Sequence, residues 1–255
     1  MNIVAIIPAR MNSSRFPGKP LEMIHGMPMI GHCLLRTQLC DQLTGTYVAT
    51  CDKEIYDYIQ SVGGKAVMTS DCHERASDRT AEAMTYIENE NGEEVDIVVM
   101  VQGNEPMIQP SMIEESLAPF VDSSVQVVNL MSKIESLEEF EDPNEVKVVA
   151  DKNSDAIYFS REAIPSRKKG VDDVPMLKQV CIIPFRRDYL LKFNSMDETN
   201  LEVIESVDMM RILENGEKVR MVMTDCMSFS VDTLDDLKRV ELAMKNDPLM
   251  STYIA

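Results

Sequence analysis

The stretch that most constrains the fold is the first twenty residues, MNIVAIIPARMNSSRFPGKP. Ile3 to Ile7 is a short, β-branched apolar run closed by Pro8, the pattern of a strand buried on both faces of a parallel sheet. A polar loop follows, with two small hydroxyls (Ser13 and Ser14), Gly18 and three cations, Arg10, Arg15 and Lys19. Open α/β sheets bind their ligands at the carboxyl ends of their strands. Three cations there suit a triphosphate, because charge-assisted bonds to phosphate are strong and an arginine can make them in pairs. A solvated basic loop would show the same composition. The strand in front and the Pro and Gly punctuation favour the phosphate.

The rest of the first hundred residues repeats a strand–helix alternation. Met29 to Leu39 reads as a helix, Thr46 to Thr50 as a strand and Lys53 to Val62 as a helix stopped by Gly63-Gly64; Lys65 to Thr69 is again a strand. Asp96 to Val101 is the strongest buried strand, and Pro110 to Phe120 an amphipathic helix. This alternation predicts an α/β fold with a doubly wound, mostly parallel sheet. Ser77 or Asp78 is a natural N-cap for the helix after the third strand. Val125 to Leu130 returns to strand, and the acidic run Glu135 to Asp142 reads as a solvated helix end or linker. Two alternating runs, 144–149 and 156–160, flank an Asn/Asp-rich turn and predict a hairpin. Ser166 to Val174 is a polar loop, Val219 to Met223 a strand, and Thr233-x-x-Asp236 a helix cap.

Composition narrows the function. At 255 residues with 44% hydrophobic content the chain makes one large domain, or one domain with a smaller lobe. It has no apolar run of 18 residues and no signal-peptide pattern, so a cytoplasmic protein without membrane insertion is expected. The six cysteines lack a CxxC pair and the three histidines are dispersed, so free thiols are expected and a zinc site is not. A net charge of −18 argues against nucleic acid as a partner and makes the basic loop the more telling. No nucleophile elbow or dinucleotide glycine fingerprint supports a hydrolase or dehydrogenase.

Ile7-Pro-Ala-Arg-x-x-Ser-x-Arg15-x-Pro-Gly-Lys-Pro-Leu21 resembles the nucleotide-binding signature of the CMP-sugar synthetases, most closely the CMP-Kdo synthetase branch. The resemblance runs from Ile3 to about Val240. It implies a Rossmann-like nucleotidyltransferase fold over residues 1–255, with a hairpin lobe at about 143–165 that helps form a homodimer. It implies CTP and an anionic 2-keto-3-deoxy sugar acid as substrates, Mg2+ as cofactor, and a place in lipopolysaccharide biosynthesis. By the same resemblance Pro8, Ala9, Arg10, Ser14, Arg15, Lys19, Ser77, Arg79 and Gln102 contact the nucleotide. Gln102, Arg161, Gln179, Ile183, Asp208 and Met209 fall at sugar positions. Arg10, Arg15, Lys19, Asn104 and Asp232 form the catalytic set, with Asn104 and Asp232 on the metal.

Several of these positions depart from the family pattern. Gln102-Gly-Asn104-Glu105-Pro106 stands where the family has Gln-Gly-Asp-Glu-Pro, whose Asp binds magnesium. An amide oxygen can coordinate but brings no charge. Three readings stay open: Asp232 and CTP hold the metal with Asn104 as a neutral ligand, Glu105 substitutes, or the chain is a weakened or non-catalytic binding homologue. On the sugar side Gln179, Ile183, Asp208 and Met209 replace the family's His, Tyr, Glu and Gln. Four changes together point to a modified acceptor, such as an amino-deoxy Kdo, because a site built for one hydroxyl pattern penalises another steeply.

Overall fold

A computed structural model of the chain describes residues 1–12, 15–171 and 173–254. These divide into two compact units, residues 1–114 with 227–255, and residues 115–226.

The first unit begins with β1 (Ile3–Ala9), every residue of which is buried. Pro8 does not close it, because a proline near a strand end forfeits only one ladder hydrogen bond; Pro8 and Ala9 still pair with Ala49 and Thr50. A two-stranded ribbon, β2 (Met23–Ile24) and β3 (Met27–Pro28), leads into α1 (Met29–Gln38). Then follow β4 (Gly45–Thr50), α2 (Lys53–Ser61), β5 (Lys65–Met68), α3 (Ala76–Asn91) and β6 (Ile97–Val101). The strands run parallel in the order β6-β1-β4-β5. The chain thus winds outward from β1 through β4 to β5, then returns to lay β6 on the other side of β1. At such a reversal the loops after the two central strands diverge and leave a crevice at their carboxyl ends. The loops concerned are 10–20 and 102–106, the two stretches richest in candidate residues.

His32 shows how tightly the unit's C-terminal end is latched. Its Nε2 donates to Ile24 O (2.8 Å), and its Nδ1 accepts from the Tyr253 hydroxyl (2.9 Å), which itself accepts from Arg36 Nη1 (3.2 Å). Burial, with Arg36 beside it, pushes the His32 pKa down and so favours the neutral imidazole that accepts from Tyr253. The unfolded chain then binds a proton that the folded one refuses, so stability falls as the pH drops below about 6.5. Urea unfolding between pH 7 and pH 5 should show wild type losing more stability than His32→Gln, the difference growing by at most about 1.4 kcal/mol per pH unit. Parallel losses would mean that His32 is charged in the fold.

The second unit takes up the chain within α4 (Pro110–Leu117). Its strands are β7 (Val128–Lys133), β8 (Lys147–Ala150), β9 (Ala156–Ser160), β10 (Leu177–Val180), β11 (Ile182–Arg186) and β12 (Arg220–Met223). Five of them form a mixed sheet in the order β12-β7-β10-β8-β9, antiparallel except between β12 and β7. The hairpin expected at about 143–165 is the β8–β9 edge of this sheet. Strand β7 starts three residues later than its apolar run: the approach leaves a turn in which Asp122 Oδ1 accepts from both Ser124 N and Ser124 Oγ, and Val127 makes only an isolated antiparallel bridge, with Phe185. The acidic run is also less solvated than expected. It contains α5 (Leu137–Glu141), capped by Ser136, and its Glu139 is nearly buried against Lys178 at 2.7 Å. The remaining helices of this unit are α6 (Arg187–Asn194), α7 (Asn200–Glu205) and α8 (Met209–Glu214). The chain then re-enters the first unit and forms α9 (Leu234–Met244), whose Thr233–Asp236 capping box is as the sequence predicts, before a 3-10 turn at Pro248–Thr252.

Candidate active site

The loop after β1 is held at three points. Met11 N–H donates to Asp52 Oδ2 (2.7 Å), Gly18 N–H returns to Met11 O (2.9 Å), and Phe16 sinks into a cluster with Ile24, Met29, Met107, Val231, Val240 and Met244. Gly18 lies at φ 79°, a left-handed conformation that side chains resist. Gly103, at the end of β6, has a different need: a Cβ there would lie 2.9 Å from Pro8 O, so only glycine lets the two strand ends approach.

This framework brings four of the predicted residues together. Lys19 Nζ donates to Val231 O and to Asp232 Oδ1, both at 2.8 Å. Arg15 Nη2 lies 3.1 Å from the same Asp232 oxygen, and Asn104 Nδ2 lies 3.4 Å from it. Val231 N–H donates to Asn104 O (2.9 Å) and fixes the two segments side by side. Burial of Asp232 opposes its ionisation, but Lys19, then Arg15 and the Asn104 amide, outweigh it and hold the carboxyl below its usual range. The result is an ionised aspartate under two cations, with the Asn104 carboxamide oxygen left as that amide's acceptor. Glu105 is not in this cluster: it is buried and accepts from Ser228 Oγ at 2.8 Å.

The other nucleotide candidates surround this centre in the same unit. Pro8 and Ala9 end β1, and Arg10 projects as an exposed side chain from the loop's first position. Ser14 lies outside the described residues. Gln102 is half-buried directly after β6. Neither Ser77 nor Asp78 is the N-cap of α3. The helix starts at Ala76 with Arg75 in the cap position, and Ser77 enters the first turn fully buried. Arg79, also buried, donates from Nη1 to Thr69 Oγ1 and to Ser70 O, the latter at 3.1 Å. Its Nη2 is buried with no hydrogen-bond partner. A guanidinium donor left unmet inside a protein is costly, which marks it as a group awaiting an acceptor.

Apart from Gln102, the sugar-side candidates lie in the second unit and are less uniform. Ile183 and Met209 are core residues, 2% and 1% exposed. Arg161 donates to three backbone carbonyls, Glu205 O (2.7 Å), Pro143 O (2.9 Å) and Ser206 O (3.3 Å). Asp208 stands at the N-cap position of α8, and Gln179, half-buried on β10, bonds Asn129. Sequence reasoning missed Asp52, Phe16 and Asn129. Phe16 alone left a signal, as the one aromatic inside a polar loop.

The cytidylyltransferase family profile matches residues 4–219. Over 251 residues the chain is 42% identical to the 3-deoxy-manno-octulosonate cytidylyltransferase of Geobacter metallireducens, covering 94% of this chain and 96% of that one. The enzyme of the same description from Trichlorobacter lovleyi is 40% identical over 256 residues, covering 96% and 99%. Among solved structures, a CMP:2-keto-3-deoxy-manno-octonic acid synthetase complexed with CTP matches with a TM-score of 0.86 at 36% identity, over 96% of this chain and 98% of that one. The chain belongs to the cytidylyltransferase family and is a CTP-dependent nucleotidyltransferase.

Proposed function

We propose that this enzyme transfers CMP from CTP to 3-deoxy-manno-octulosonate or a modified form of it, such as an 8-amino derivative, with release of pyrophosphate. The observation that carries the reading is the convergence of Arg15 and Lys19 on Asp232 beside Asn104, where the loops after β1 and β6 diverge. The sugar's anomeric hydroxyl attacks the α-phosphorus in line; the new C–O–P link forms as the bond to the β-phosphate breaks. Catalysis is then positioning and charge neutralisation. Arg10, Arg15 and Lys19 hold the triphosphate. Ser77, Gln102 and the unmet Arg79 Nη2 hold the nucleotide.

The donor set fits magnesium. Asp232 offers a carboxylate and Asn104 a carboxamide oxygen, and the ion usually completes its shell with substrate phosphates and water. Among the described residues no group of three acidic, histidine or cysteine side chains could hold a metal alone. Bound there with CTP, the ion would neutralise charge developing on the phosphates. Asn104→Asp restores a second carboxylate and should lower the Mg2+ concentration for half-maximal rate by about tenfold, roughly 1.4 kcal/mol. An unchanged requirement would remove Asn104 from the metal.

The modified acceptor is supported by four joint departures from the family pattern, at Gln179, Ile183, Asp208 and Met209. An acceptor screen with CTP, following pyrophosphate release, tests it. An amino-substituted acid should turn over better than 3-deoxy-manno-octulosonate; the reverse ranking sinks the modified acceptor, and no turnover of any such acid sinks the whole reading. A cytoplasmic homodimer serving lipopolysaccharide synthesis belongs to the same proposal, with β9 as an edge strand carrying an exposed Ile157.

A further inference from the structure

One amide in the second unit has its polarity dictated by its surroundings. Asn129, fully buried on β7, donates from Nδ2 to Leu130 O (2.9 Å) and to Val180 O (2.8 Å). Carbonyl oxygens only accept, so this carboxamide has one possible orientation, with Oδ1 as its acceptor end. Gln179 places Nε2 on that oxygen at 2.5 Å. Its own orientation is therefore set as well, and Oε1 is the end that this bond does not use. Gln179 is paired with Met131 across the sheet, so Asn129, two residues along, shares its face. Lys178 and Val180 turn to the opposite face, where Lys178 meets Glu139 and Glu145. The relay thus runs from a fully buried amide to a half-buried one.

We infer that Asn129 is a positioning residue that fixes Gln179 as an acceptor-only contact, so that the sugar must bring a hydrogen-bond donor to it. The inference rests on the reading of a sugar acid as acceptor with Gln179 at the sugar. A histidine, which the resembled family has at this position, carries one donor and one acceptor and can exchange them between its nitrogens. The locked glutamine cannot. A hydroxyl satisfies it; an ammonium satisfies it better, since a charged donor makes a stronger bond. An ether oxygen in the same place would set acceptor against acceptor and leave both unmet.

The test is the kinetics of pyrophosphate release with CTP and three acceptors: 3-deoxy-manno-octulosonate, its amino-substituted analogue and its O-methylated analogue. Wild type should favour the two donor-bearing acids. In Asn129→Leu the glutamine is free to turn over, so KM for those two acids should rise about tenfold, while kcat and KM for CTP stay unchanged. Discrimination against the O-methyl analogue should fall with it. Asn129→Leu also strips partners from two buried carbonyls and is expected to lower the thermal midpoint. Asn129→Asp separates the effects: it keeps an acceptor oxygen for Gln179, so the sugar KM should stay near wild type even though stability drops. Gln179→Met removes the contact without disturbing either carbonyl, and should reproduce the KM change if Asn129→Leu does not fold. A sugar KM that tracks stability across these variants, or discrimination that survives in Gln179→Met, overturns the inference alone. Failure of wild type to use any 2-keto-3-deoxy sugar acid overturns the functional reading and this inference with it.

Discussion

Asp232→Asn is expected to slow CTP-dependent pyrophosphate release by about 10²- to 10³-fold, the range seen when one preorganised charge is removed from a site of developing charge. The substitution is nearly isosteric, so the loss comes from charge. Asp232 takes both Lys19 and Arg15 on one oxygen, and it is the carboxylate of the proposed metal pair, since position 104 is already an amide. With Asn at both positions the ion has no anionic protein ligand. The fold should survive, because Lys19 keeps its bond to Val231 O, and Phe16 and Val231 stay in their apolar cluster. Lys19→Met should be milder, about 10- to 100-fold, the worth of one charge-assisted hydrogen bond. Residues acting as one unit are not additive, so the double variant should be little worse than Asp232→Asn. Steady-state rates beside thermal midpoints check this. Asp232→Asn within threefold of wild type would remove that carboxylate from the chemistry.

The basic loop was legible because its signals are local. Strand Ile3–Ala9, the Gly18 turn and the three cations lie within twenty residues, and periodicity and punctuation act at that range. What the loop meets was not legible. Lys19 and Asp232 are separated by 213 residues, and only the return of the chain to the first unit joins them. The motif around Asp232 could be read as a helix cap or as a metal ligand. The cap is carried by Thr233, which leaves the Asp232 side chain to Lys19 and Arg15. On the sugar side, resemblance suggested positions but not side-chain directions. Where a polar residue gives way to Ile183 or Met209, the apolar replacement gains by leaving water, and both are buried. Asn129 was invisible for the opposite reason. A single amide in the run Val127-Val-Asn-Leu-Met131 looks like a blemish in a strand until its three hydrogen bonds are seen. The β8–β9 hairpin was read from alternation and a turn. Its membership of a five-stranded sheet depends on pairing between Lys147 and Lys178, for which no local pattern exists.

The largest loss of stability is expected at Arg211. This residue and Glu202 form a bidentate pair, Nη2 to Oε1 at 2.6 Å and Nε to Oε2 at 2.7 Å, with Glu202 wholly buried. Arg211 also lies over the Phe193 ring, 4.7 Å from its centroid, and donates to Phe193 O and Met196 O at 3.3 Å. It therefore ties α6 and α7 to α8. Arg211→Met keeps most of the volume but strands the Glu202 carboxylate in the interior, and breaking such a pair from one side costs about 3–5 kcal/mol. Converting both partners, Glu202→Met with Arg211→Met, leaves no buried charge. It should cost less than the single change, although it orphans the two carbonyls and opens the Thr199–Glu202 capping box. Urea unfolding of the three proteins at neutral pH decides the matter. A single variant within 1 kcal/mol of wild type would show that the pair does not hold these helices. A double variant worse than the single would show that the helix cap and the carbonyls, not the stranded charge, carry the energy.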